Sequence, residues 1–154
     1  MVAHRRGILD DAVALLDLRR RSILELAARG LPAGEAEAWA AKLSLAGMEG
    51  KLREFEIWVA ELDGVAAAWG AIRADYLEGL YTAPGFAGRG IASALLRRLE
   101  GLMIARGVAA VRAEASSNAL AFYLRRGYWM SGPQTAERAW PITKDLSQWV
   151  ATTA

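Results

Sequence analysis

The chain has no cysteine and one histidine, His4. A disulfide framework, a thiol nucleophile and a cysteine-based metal site are therefore excluded, and a histidine-rich metal centre has too few ligands to form, so no metal is expected. Long apolar runs are missing as well: none reaches the roughly 18–20 residues that cross a bilayer. Met1-Val2-Ala3-His4-Arg5-Arg6 runs into charge instead of the apolar core of a secretion signal. A cytoplasmic location with no membrane partner is the resulting expectation. Neither sign of charge dominates, with 19 Lys and Arg against 17 Asp and Glu, a net charge of +2. Arginines gather at Arg19-Arg20-Arg21, Arg97-Arg98 and Arg125-Arg126. These clusters are short and scattered, and read as solvated helix faces. A nucleic-acid partner would call for a basic stripe with interleaved aromatics, and none is expected.

What remains is an ordinary globular composition, 54% apolar over 154 residues, enough for one domain spanning 1–154 with a real core. Taken in order, the pattern predicts a short strand at 2–6. A helix follows, capped by Asp10 or Asp11 and running to Ala28, with Val13, Leu16, Arg20, Ile23, Leu24 and Ala27 on its inner face. A second helix is predicted from Ala33 to Leu45, closed by Gly47 and Gly50. Ile57–Glu61 reads as a buried strand, Asp63-Gly64 as a two-residue hairpin turn, and Val65–Ile72 as the returning strand. A further turn at Arg73-Ala74-Asp75 leads to a strand from Tyr76 to Thr82. Gly79 is unusual inside that strand, because glycine there marks a bulge or a close ligand approach.

The next stretch organises the chain. Gly85, Gly88 and Gly90 surround Arg89 just before an amphipathic helix over 90–106, with Ile91, Leu95, Leu99, Leu102 and Met103 inward and Ser93, Arg97 and Glu100 outward. A helix N-terminus offers unpaired N–H groups and the positive end of the dipole, and glycines ahead of it allow close approach, so strand, glycine loop and helix form an anion cradle. A strand over 108–115 completes a right-handed βαβ unit. A short helix over 118–126 and strands within 128–133 and 138–146 end the pattern. The expected fold class is α/β: a mixed, mostly antiparallel sheet with one parallel unit and helices on both faces.

Two blocks carry a resemblance. Ala87-Gly88-Arg89-Gly90-Ile91-Ala92, preceded by Leu80-Tyr81-Thr82-Ala83-Pro84, is similar to the acetyl-CoA motif Gln/Arg-x-x-Gly-x-Gly/Ala of the Gcn5-related N-acetyltransferase (GNAT) superfamily. The segment Ala115–Tyr128 resembles the same family's Ala-x-x-Phe-Tyr-x-x-x-Gly-Phe/Tyr block. Element order agrees too, so the resemblance covers nearly the whole chain. One departure stands out: Ala87 replaces the usual Gln or Arg, which removes a side chain that shapes the loop and leaves its backbone N–H.

The resemblance implies acetyl-CoA as cosubstrate and transfer of its acetyl group to a primary amine of a small molecule or peptide. The N–H groups of Ala87, Gly88, Arg89, Gly90, Ile91, Ala92 and Ser93 would hold the pyrophosphate, with the Arg89 side chain assisting. The backbone of Leu80, Tyr81 and Thr82 would pair with the pantetheine arm as an added strand. Ser116 falls where many relatives carry a cofactor-touching Asn; Asn118 is either a second contact or, on the better reading, the N-cap of the short helix. Tyr123 is the implied general acid for the leaving thiolate. For the base, Glu78 comes first, on the reading that alternation with Leu80 points it to the acceptor side; Glu114 and a water relay stay open. Trp39, Trp58, Trp69 and Trp129 are either core or walls of an acceptor pocket. A non-catalytic acyl-CoA-binding or sensing module is the alternative, and the sequence leaves a homodimer open.

Overall fold

The computed structural model describes residues 1–147. Its strands are β1 (Val2–Arg6), β2 (Glu56–Leu62), β3 (Val65–Arg73), β4 (Tyr76–Thr82), β5 (Ala110–Ala115), β6 (Trp129–Met130) and β7 (Trp140–Asp145). The helices are α1 (Ala12–Glu25), α2 (Glu35–Ala41), α3 (Leu45–Glu54), α4 (Ile91–Ala105) and α5 (Leu120–Leu124). The strands form one sheet in the order β1-β2-β3-β4-β5-β7-β6. Every neighbouring pair is antiparallel except β4 and β5, which run parallel around α4. The α/β mixed sheet expected from the sequence is thus present. Among the described residues, no helix is long and apolar enough to cross a membrane.

Local chemistry explains most of the boundaries. Asp63 and Gly64 both take positive φ, 52° and 79°, the mirror-image turn whose twist suits a β2–β3 hairpin. Ala74, at φ 53°, turns β3 into β4. Two cores then form on opposite faces of the sheet. α4 lays Leu95, Leu96, Leu99 and Met103 over Ile72, Leu77 and Val111. On the other face α1 and α3 bring Leu15, Leu18 and Met48 against Ile57, Val59 and Trp69. Trp69 is fully buried and donates its Nε1–H to the Leu15 carbonyl at 3.0 Å, so it belongs to the core and not to a pocket wall. Trp58 is half-buried under Arg98, and Trp129 stands exposed on β6, so neither serves as a pocket wall.

Three helical expectations are corrected. The single helix of 33–45 is two, because Ser44 caps α3 by accepting from the Gly47 N–H at 3.0 Å. Gly47 and Gly50 therefore lie inside α3 and stop nothing. At Gly47 a Cβ would sit 2.8 Å from Leu43 Cδ1, so a side chain there would make the end of Leu43 shift. In α1 the buried face is Ala12, Leu15, Leu16, Leu18, Arg19 and Ile23, while Val13, Arg20 and Leu24 are exposed. Arg19 tolerates burial because it donates to the carbonyls of Ala40 and Trp39 at the C-terminal end of α2, where the negative end of the helix dipole favours a cation.

Glu100 is the third correction: it faces inward. Its Oε2 accepts from the Tyr128 hydroxyl at 2.6 Å and its Oε1 pairs with Lys144 at 3.0 Å, which fastens α4 to β7. Burial and this carboxylate push the Tyr128 phenol above its usual range, so it remains a donor. Glu100→Ala leaves Lys144 and Tyr128 without this acceptor, and the expected cost is about 3 kcal/mol. Urea unfolding checks this as a lowered midpoint at unchanged slope.

Candidate active site

The site begins with a fault in β4. Ala71 of β3 pairs with Gly79 and Ile72 pairs with Leu77, so Glu78 is an extra residue in the ladder. At the same point β4 parts from β5. Their parallel register covers Tyr76–Arg112 and Leu77–Ala113 and goes no further, while β3 follows β4 to Thr82 and β7 follows β5 to Ala115. The fork between the strands holds a cleft of about 200 Å³. Gly79, Leu80, Tyr81 and Thr82 form one side of it, and Glu114, Ala115 and Ser116 the other. The edge of β4 beyond Leu77 has no strand partner on this side, so its backbone can accept an extended ligand as an added strand.

The bulge also sets which side chains enter the cleft. Leu77 and Leu80 pack into the α4 core, whereas Tyr81 packs toward α1 and α2. Glu78 meets Lys51 of α3 in an ion pair, so it shares the Tyr81 face. Alternation would have placed Glu78 with Leu80; the extra residue instead turns it to the opposite face, toward α3. Gly79 adjoins Glu78, and a Cβ there would lie 2.9 Å from Tyr81 Cε2. The Tyr81 ring is itself held by Trp69, 5.0 Å between centroids, and by the Arg19 guanidinium at 5.6 Å. A side chain at 79 would press on this pinned ring, so the close approach favours glycine there.

The far end of the cleft is the helix start. A 3-10 turn at Pro84–Phe86 precedes the loop, and the Ala87 N–H closes it by donating to the Pro84 carbonyl at 3.3 Å. The Ala87 donor is thus engaged in the turn, and the free end of α4 lies at Ile91, Ala92 and Ser93. Gly88 and Gly90 have φ of 74° and 78°, a conformation that L side chains rarely adopt. A Cβ at Gly85, Gly88 or Gly90 would meet nothing within 4 Å, so these glycines leave open space above the backbone. Arg89 is exposed, its guanidinium 5.6 Å from the Phe86 ring.

α5 supplies the floor. Tyr123 lines the cleft, nearly buried, edge-on to Phe122 and to Tyr128 with centroids 5.2 Å away in each case. Burial, together with the nearby Tyr81 and Glu100, pushes its phenol above the usual value, so it is protonated throughout the neutral range. The N-cap of α5 is Ala119, not Asn118. The Asn118 Oδ1 instead accepts from the Ser116 hydroxyl at 2.6 Å, and both residues line the cleft. Of the four tryptophans, Trp39 alone reaches it, beside Ile23, Leu26 and Ala27.

Two participants were not legible in the motifs. Lys51 comes from a helix 27 residues before Glu78 and no sequence pattern links them. Arg126 donates its Nε–H to Ser93 Oγ at 3.0 Å and stacks on Phe122, 3.7 Å from the ring centroid, which places a cation beside the helix start. The spacing of Phe122 and Arg126, one helical turn, was the available signal. Among the described residues, no group of three His, Cys, Asp or Glu side chains is placed to hold a metal ion.

Comparison with known proteins agrees with this geometry. A profile described as the acetyltransferase (GNAT) domain matches residues 26–144. A GCN5-related N-acetyltransferase structure from Rhodopseudomonas palustris aligns with a TM-score of 0.86 at 27% identity, over 93% of this chain and 94% of that one. The PaiA N-acetyltransferase from Thermoplasma acidophilum, solved in complex with coenzyme A, aligns at 0.79 and 19% identity over 94% and 99%. The N-acetylglutamate synthase from Neisseria gonorrhoeae, complexed with coenzyme A and N-acetyl-glutamate, aligns at 0.71 and 18% over 95% of this chain and 35% of that one. No curated protein matches in sequence. The profile spans well over half of the residues and the overall fold is shared with solved N-acetyltransferases: the chain belongs to the GNAT family of acetyltransferases.

Proposed function

We propose that this protein uses acetyl-CoA to acetylate a primary amine of a small molecule or peptide, by direct attack of the amine on the thioester. The observation that carries the reading is the fork in the sheet, opened by the Glu78 bulge and ending at a glycine-lined helix start. It matches an extended ligand with an amide-bearing arm and a pyrophosphate. Open space over Gly85, Gly88 and Gly90 fits close approach of such a ligand to the backbone.

When bound, acetyl-CoA supplies an activated acyl carbon with a thiolate leaving group. The N–H groups of Gly88 through Ser93 hold the pyrophosphate, with Arg89 and Arg126 adding charge-assisted contacts. Ala87 shapes the entry to the loop. Leu80, Tyr81 and Thr82 pair with the arm through their backbone, and Ser116 and Asn118 hold its opposite edge. Glu78 takes a proton from the incoming ammonium, oriented by Lys51. Tyr123 hydrogen-bonds the developing thiolate. The new bond is N–C and the broken bond is C–S; an acetamide, a free thiol and one proton leave.

Thermal denaturation with acetyl-CoA tests the cosubstrate. At about 100 times its Kd the ligand adds roughly 2.7 kcal/mol of stability. Absence of any shift at millimolar acetyl-CoA would refute the reading.

A further inference from the structure

Charge in the acceptor end of the cleft is one-sided. The charged residues that line it are Glu78 and Glu114, and no lysine or arginine does so among the described residues. Three cations near it are engaged elsewhere: Arg112, 5.4 Å from the Tyr76 ring centroid, is paired with Asp75. Lys51 is paired with Glu78 and lies 5.4 Å from the Phe55 ring centroid. Arg19 is buried and donates to the carbonyls of Trp39 and Ala40. On the acid side the groups are less satisfied. Glu114 is exposed and makes no ion pair among the described residues, and Glu78 Oε2 is buried with no hydrogen-bond partner. Both carboxylates act on Tyr76, whose phenol is raised by burial first and then by Glu114 and Glu78, with Arg112 opposing them. The facing wall is uncharged and mostly apolar: Ile23, Leu26, Ala27 and Trp39, with Ser22 beside them.

Resting on the acetyltransferase reading, we infer that the acceptor is an alkyl or arylalkyl primary amine without a carboxylate, and that Glu114 is a determinant of this choice. A primary amine enters as an ammonium, which Glu114 and Glu78 attract, while its hydrocarbon body packs on Trp39 and Leu26. An α-amino acid of the same side chain brings a carboxylate into a cleft that has two of its own and no cation to pair it. That group loses solvent and meets like charge, which is the kind of unmatched polar burial that separates substrates most strongly. The bonds made and broken are those of the parent reaction; only the acceptor is narrowed.

The experiment is release of free CoA thiol with matched acceptors: phenethylamine against phenylalanine, tryptamine against tryptophan, and phenylalanine amide as a carboxylate-free α-amine. Each carboxylate-free member is expected to show at least about tenfold higher kcat/KM than its amino acid, since one mismatched group in a partly open cleft lies at the low end of such discrimination. Glu114→Lys, a change at an exposed position, should shrink that ratio several-fold while leaving acetyl-CoA stabilisation in place. Equal or better turnover of the amino acids overturns the inference, and so does silence from every pair when acetyl-CoA still stabilises the fold. Loss of acetyl-CoA stabilisation itself would instead remove the parent reading, and the two failures are told apart by that one measurement.

Discussion

Tyr123→Phe lowers kcat by about 10- to 100-fold and leaves the KM for acetyl-CoA and the folding stability nearly unchanged. The ring is what packs: Phe122 and Tyr128 contact it edge-on, and phenylalanine keeps both contacts. The hydroxyl is what the substitution removes, from a residue that lines the cleft. Its phenol is raised above the usual value by burial, with Tyr81 and Glu100 adding to the effect. A phenol so weakly acidic does not give up its proton before the C–S bond has lengthened. Its proposed contribution is a hydrogen bond that strengthens as charge collects on sulfur, an interaction made in the transition state and scarcely in the ground state. The loss should therefore appear in kcat. Because the phenol stays protonated well past neutrality, the pH–rate profile from pH 6 to 9 should keep its shape in the variant, which a titrating catalytic group would not allow. Steady-state kinetics at several pH values, paired with an acetyl-CoA thermal shift on the same sample, separates this result from a general loss of fold. A wild-type kcat in Tyr123→Phe would remove the hydroxyl from the mechanism.

The features legible in the sequence are those that depend on local backbone chemistry. Asp63-Gly64 announced its turn because few residues adopt two consecutive positive φ values. Gly88 and Gly90 announced the cradle for the same reason, and Gly79 drew attention to the strand that forks. What escaped were features set by contacts distant in sequence. Arg19 and Glu100 read as solvent-facing because each is charged, yet both are buried with partners on other elements: the end of α2 for one, Tyr128 and Lys144 for the other. Alternation placed Glu78 by a rule that the bulge suspends, and one extra residue reverses a face. Asn118 had the composition of an N-cap, but Ser116 two residues earlier took its side chain. The third helix was missed because Gly47 and Gly50 look like stops until Ser44 is seen to cap them. Site partners such as Lys51 on α3 and Arg126 in the turn after α5 come from segments that only the sheet brings together.

Gly79→Val is expected to abolish most activity, with kcat/KM down by about 100-fold or more, and to cost about 1–3 kcal/mol of stability. The argument turns on what a side chain would meet. Even a bare Cβ would lie 2.9 Å from Tyr81 Cε2, and valine adds two branches in the same place. The Tyr81 ring has little freedom to retreat, since Trp69 tilts against it at 5.0 Å and the Arg19 guanidinium stands 5.6 Å from its centroid. Trp69 and Arg19 are themselves buried and hydrogen-bonded to Leu15, Trp39 and Ala40. Displacement must then pass either into that core, which costs stability, or outward into the fork, which moves the edge proposed to receive the pantetheine arm. The adjacent residue is Glu78, so the same shift turns the proposed base away from the amine. A displacement near 1 Å is enough for a loss of this size when the reacting atoms must be aligned. Gly79→Ala provides the graded comparison: a smaller loss in the same direction, with KM for acetyl-CoA and kcat both affected, measured beside the urea midpoint of each variant. If valine is accepted at 79 with activity intact, the close approach of Tyr81 does not shape the site, and the bulge serves the sheet alone.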